Sequence, residues 1–183
     1  MAAFPRTDRY DNVAIALHWG IAALVLFNLF LGIGHDALPD DWKVMPVHKA
    51  VGITILFLSI GRLGWRLAHQ PVPFDARLKP WEKVLASATH WIFYALLIIV
   101  PLTGWMMVSG AEVRRPLTFF GLFDIPYLPV GESAGDFGHE AHELLGLLMA
   151  GLAAIHILAA LAHHIVRRDA TLTRMIPFLK PRG

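Results

Sequence analysis

The chain has 183 residues, 56% of them hydrophobic and only 16% charged, whereas a soluble domain of this size carries charge on about a quarter of its residues. It contains no cysteine, which excludes disulfides, thiolate zinc sites, iron–sulfur clusters and thiol catalysis. The net charge of +2 does not mark a nucleic-acid binder, because the basic residues flank apolar runs and do not gather on one soluble face.

In chain order, the apolar runs predict an all-α membrane protein with four transmembrane helices, over about residues 13–34, 45–68, 86–108 and 142–166. Val13 to Gly34 is free of Asp, Glu, Lys and Arg for 22 residues, enough for a bilayer core that needs about 20. This run is too long and too weakly flanked for a cleaved signal peptide, and is expected to be retained. The second run is weaker, because Lys49, Arg62 and Arg66 interrupt it and its clean stretch, Ala50 to Gly61, has only 12 residues. Lys49 and Arg66 lie near its ends and can snorkel, but Arg62 is deeper and needs a partner or a polar ligand. It still counts as a span, since three spans would leave basic segments on opposite sides of the membrane. Val84 to Ala111 is free of charge for 28 residues, and Pro101 with Gly104 should kink it. Leu144 to Val166 is free for 23. With no repeat, low-complexity tract or second domain, residues 1–183 read as a single integral membrane domain. Trp42, Trp65, Trp81 and Trp105 fall near span ends, as an aromatic belt would.

Twelve of the sixteen Lys and Arg residues lie in the N-terminal segment, the Arg62–Lys83 connection and the tail after Val166. The other four are Lys43, Lys49, Arg114 and Arg115. The positive-inside rule therefore makes both termini cytoplasmic. The Gly- and Pro-rich connection from about Glu112 to Glu140 then faces outward and is expected to cap the bundle.

Four histidines, His18, His48, His142 and His156, sit in or at the mouths of these runs. An imidazole in a lipid-embedded bundle is costly unless something binds it. His142 and His156 are fourteen residues apart, nearly four helical turns, so they share a face about 21 Å apart along the axis. The orientation puts His48 and His142 near the outer surface and His18 and His156 in the inner half. Neutral imidazoles in pairs suit axial ligation of haem iron, and no thiolate competes. Two two-histidine sites are poor for zinc, which wants four ligands, though the residues alone do not separate haem from a bare metal. Gly52 and Gly146 each lie one turn after a candidate ligand, where a flat macrocycle would need clearance; close helix packing is the plainer reading. His163, seven residues after His156, stays on the same stripe and competes as the inner ligand.

The strings ALHWG, VHKAVGI, HWIFYALLIIVPLTGW and HELLGLLMAGLAAIHILAALAHH, with the tail IVRRDATLTRMIP, resemble the bacterial cytochrome b561 family over nearly the whole chain. The resemblance implies an inner-membrane electron-transport protein with two haem b groups in a four-helix bundle, held at His18, His48, His142 and His156. It implies transfer of electrons from periplasmic superoxide to ubiquinone as the leading activity, making the protein an oxidoreductase. It leaves His163 near the inner haem edge, where it is expected to bind or protonate a quinone with help from Arg167 or Arg168. The plainer role for His163 is an interfacial residue meeting headgroups or a haem propionate. The partners implied are lipid, quinone and superoxide or another one-electron donor. A cytochrome subunit that carries electrons for, or anchors, a partner dehydrogenase is the alternative; a metal transporter without haem is a third class.

Of the other histidines, His90 is read as helix packing, with a propionate or quinone contact as the sharper option. His139 is placed on the outer loop, since HEAHE lacks the metalloprotease spacing. His35, His69 and His164 are read as interfacial. Arg114, Arg115 and Lys49 could steer an anionic donor, yet the outer connections hold nine acidic residues against four basic ones.

Overall fold

The computed structural model describes residues 9–39, 42–69, 72–74, 78–176 and 178–179. Arg6, Arg77, Lys180 and Arg182 of the charge count, and Asp40 and Asp41 of the outer acidic group, lie outside them. Four helices, α1 (Asn12–Gly34), α2 (Val44–Ala68), α3 (Pro80–Gly110) and α4 (Glu132–Ala162), are long and apolar enough to cross a membrane. A short antiparallel hairpin, β1 (Thr118–Phe119) with β2 (Phe123–Asp124), lies between α3 and α4.

Local chemistry sets the helix starts. Asp11 caps α1, its Oδ1 accepting the Ala14 N–H at 2.9 Å. Pro80 opens α3, where its missing N–H costs nothing, and Glu82 Oε2 accepts the Lys79 N–H at 2.8 Å. Pro101 lies inside α3, which nevertheless runs as one helix to Gly110. The described chain leaves α4 through a π-helical turn, His163–Arg167, closed by Arg168 in the left-handed region at φ 53°.

Consecutive helices are antiparallel. Trp65 Nε1 near the end of α2 donates to Asp11 Oδ2 at 3.2 Å, and Arg167 after α4 meets Glu82 at the start of α3 at 2.6 Å. The tail folds back to this same end, where Trp19 Nε1 donates to the Met175 carbonyl at 2.8 Å and Arg174 to that of Pro73 at 2.5 Å. The opposite end carries the hairpin, fastened by Trp105 Nε1 to the Pro126 carbonyl at 3.0 Å and the Leu128 N–H to Ser109 Oγ at 3.0 Å. These two ends are the tail end and the hairpin end.

Helix α1 packs on α2, α2 on α3 and α3 most extensively on α4. At the hairpin end α3 and α4 meet backbone to backbone: a Cβ added at Gly135 would stand 2.8 Å from the Gly110 carbonyl carbon, and one at Gly138 2.8 Å from Met107 N. Small residues permit that approach in a membrane, where packing and not a hydrophobic force joins helices. The core is a layer of Ile21, Val51, Ile55, Leu96, Leu97 and Met149, supplied by all four helices. Large apolar side chains such as Phe30, Phe57, Leu144 and Leu158 are exposed on the outside, as a lipid-facing surface requires.

Candidate functional site

The histidines lie on either side of that core layer, in two groups. At the hairpin end the rings of His48 and His142 have centroids 5.9 Å apart and planes at 86°. At the tail end His18 and His156 are 6.4 Å apart at 76°. A metal–imidazole bond is about 2 Å, and the ring centre lies roughly 1 Å beyond, so imidazoles on opposite sides of one metal have centres about 6 Å apart. Ordinary edge-to-face pairs also span about 4.5–7 Å, so distance alone does not distinguish ligands from packing.

At the hairpin end both rings are also held by backbone carbonyls. His48 Nδ1 lies 3.1 Å from the Asn28 carbonyl, and His142 Nδ1 lies 2.8 Å from the Val100 carbonyl. A carbonyl only accepts, so each Nδ1 carries the proton and each Nε2 keeps its lone pair. That is the arrangement in which a metal-binding histidine is oriented by its second nitrogen. Each ring also lies against a glycine of the neighbouring helix. A Cβ at Gly32 would stand 2.8 Å from His48 Cε1, and one at Gly104 2.9 Å from His142 Cε1. Both times the accepting carbonyl is four residues before the glycine.

At the tail end the two histidines border a cavity of ≈ 100 Å³ between the helices, which Arg62, His90 and Tyr94 also line. His90 packs against His156, with ring centroids 6.1 Å apart, as the helix-packing reading expected. His18 Nδ1 is buried without a hydrogen-bond partner among the described residues. Arg62 sits with its guanidinium 5.5 Å from the centre of the Tyr94 ring. Paired imidazoles bordering an interhelical cavity are the donor set that would suit a flat macrocycle with axial iron ligands. No group of three or more His, Asp or Glu able to hold a bare ion occurs among the described residues.

His163 is held elsewhere. Its Nδ1 lies 2.5 Å from Oδ2 of Asp169, a buried carboxylate whose Oδ1 accepts the Thr171 N–H at 2.9 Å. Burial alone would raise the Asp169 pKa, but the hydrogen bonds from His163 and Thr171 outweigh it and hold the group below the usual carboxylate range.

Several expectations need correction. His164, read as interfacial, is buried and its Nδ1 lacks a partner among the described residues. His139 is exposed as expected but stands on α4, which begins at Glu132, and not on a loop. Neither Gly52 nor Gly146 is a tight helix contact: a Cβ at Gly52 would meet only the Asn28 amide at 3.7 Å, and one at Gly146 nothing within 4 Å. The glycines that touch histidines are Gly32 and Gly104. What the open space beside Gly52 and Gly146 overturns is the close-packing reading of these two, and not the clearance reading. At the hairpin end Arg114 stacks on Tyr127 at 5.1 Å, and Lys49 Nζ donates to the Pro116 carbonyl at 2.5 Å, so both basic residues also tie the cap.

A four-helix membrane bundle with histidine pairs at two depths defines a class of electron-transfer membrane cytochromes. Residues 9–178 match the model of the prokaryotic cytochrome b561 family, and the chain belongs to that family. It is 30% identical over 175 residues to "Cytochrome b561 homolog 2" of Escherichia coli (strain K12), covering 92% of each chain. It is likewise 30% identical to "Probable superoxide oxidase CybB" of Yersinia pestis, over 96% of this chain and 98% of that one. "Cytochrome b562" of Cereibacter sphaeroides is 29% identical over 91% of this chain and 94% of its own. The protein is therefore a b561-type electron-transfer cytochrome, multi-pass in the bacterial inner membrane. Its family association points to haem b as cofactor.

Proposed function

We propose that this protein is a di-haem superoxide:ubiquinone oxidoreductase, a single integral membrane domain with both termini in the cytoplasm. The hairpin end is then periplasmic, and His48 with His142 holds the outer haem while His18 with His156 holds the inner one. The observation that carries the reading is the pair of carbonyl-oriented imidazoles at the hairpin end, their ring centres 5.9 Å apart. Bound haem would supply one-electron storage at each depth. Two superoxide anions each lose one electron to give dioxygen, and ubiquinone takes two electrons and two protons to give ubiquinol.

The chain's own contribution is placement. The carbonyls of Asn28 and Val100 fix the outer imidazoles, and the apolar layer around Ile21 and Met149 keeps water from the path between the two levels. His163, tied to Asp169 at the tail end, is the residue that would bind or protonate the quinone. Superoxide as donor draws support from the name of the Yersinia pestis relative. The excess of acidic residues on the outer connections favours a second reading, an electron-carrier or anchor subunit for a partner dehydrogenase.

Purified protein should show a reduced b-type spectrum, two haems per chain, and quinone reduction driven by superoxide. His163→Ala should slow that reduction with both haem spectra intact. Loss of one haem in this variant would make His163 a ligand, and haem without turnover would favour the carrier reading.

A further inference from the structure

Arg62 is the deeper of the two arginines on α2 and takes no part in the roles proposed for the histidines. It lies six residues before the end of α2, about 9 Å inside the helix terminus. Its guanidinium has the Tyr94 face beside it, and among the described residues no carboxylate pairs with it. An arginine cannot shed its proton to escape burial. An intramembrane cation therefore points to an anion that completes its site.

Register says where that anion lies. Arg62 follows His48 by fourteen residues, the same interval that separates His142 from His156. Helices α2 and α4 run in the same direction, and His48 and His142 are level. Arg62 thus reaches the depth of His156, nearly four turns below the outer pair and on the same face of α2. It lines the cavity that His18, His90 and His156 share. At the outer level α2 supplies a ligand; at the inner level the same face supplies a positive charge.

We propose that Arg62 is the anion-binding residue of the inner site and that it pairs with a propionate carboxylate of the haem held by His18 and His156. This rests on the di-haem reading. A guanidinium offers two parallel N–H donors to a carboxylate, which neither His90 nor Tyr94 can do. The Tyr94 ring lies 5.5 Å from the guanidinium carbon, within cation–π range. The charge also disfavours the oxidised, more positive iron, so Arg62 holds the inner haem at a higher potential than a neutral residue would.

The test is a redox titration of each haem in wild type, Arg62→Gln and Arg62→Lys, in quinone-free protein and again with ubiquinone added, with resonance Raman of the propionate bending modes. Arg62→Gln should shift the inner haem's oxidation equilibrium at least tenfold toward the oxidised form, about 59 mV for one electron, and leave the outer haem unmoved. It should also alter a propionate mode, and Arg62→Lys should recover most of the potential. Selective loss of the inner haem in Arg62→Gln, with retention in Arg62→Lys, supports the same pairing. Two haems at unshifted potentials with unchanged propionate modes would overturn it, as would a lysine variant indistinguishable from the glutamine one. A shift seen only with ubiquinone present would give the anion to the quinone and overturn the assignment to haem. A wild-type protein without an inner haem would instead overturn the di-haem reading itself.

Discussion

His142 lies against Gly104, and it donates to the carbonyl of Val100, the residue one turn before that glycine. His48 does the same with Gly32 and Asn28. Two unrelated helix contacts thus use one device: a glycine gives the ring room, and the carbonyl of the turn before it fixes the tautomer.

A methyl group at either glycine should displace its histidine. Gly104→Ala and Gly32→Ala put a Cβ 2.9 Å and 2.8 Å from the ring. Overpacking of this kind costs about 1–3 kcal/mol, so each variant should fold with a lowered Tm. Each should also lose occupancy of the outer haem alone, read as the haem-to-protein ratio and the reduced spectrum.

Asp169 ties the tail to the bundle through His163 and Thr171. Its pKa is held below the ordinary value of 3.8, so it contributes stability in full above that value and loses it as pH falls through the folded-state pKa. Hydrogen exchange of residues 169–176 should therefore quicken on acidification below about 4 in the wild type. In Asp169→Asn it should be fast at neutral pH and show little further response to acid.

Asp11 caps α1 and also accepts from Trp65, joining the first helix to the end of the second. Asp11→Ala should cost about 1 kcal/mol by the usual worth of an N-cap, with haem content unchanged. Thermal unfolding followed at the haem band would measure it.

If superoxide is the donor, the basic residues of the hairpin end should steer it. Its oxidation rate should fall as salt rises, since the screening length is about 10 Å at 0.1 M. Charge-neutralising changes at Arg114 and Arg115 should remove that dependence. A rate indifferent to both would leave these side chains with the structural task that Arg114 already performs on Tyr127.

Spans and histidine depths were legible in the sequence because each rests on a period or a length. An uncharged run of 22 residues has few fates, and a spacing of fourteen keeps two side chains on one helix face. The roles of Gly32, Gly104 and the Asn28 and Val100 carbonyls were not legible, because they depend on which helix lies opposite, and one-dimensional spacing carries no such information. His90 and Arg62 share a cavity for the same reason, through the packing of α2 and α3 beside α4. The burial of His164 was not legible either, because it depends on which elements pack around the π-helical turn after α4.

The most direct test of the account is the haem b content of purified protein, taken with the low-temperature EPR spectrum of the oxidised form. Two haems per chain, both low-spin with bis-imidazole signals, one of them lost in His48→Ala and the other in His18→Ala, is the result the paired geometry predicts. One haem per chain, or two that survive both substitutions, would contradict it.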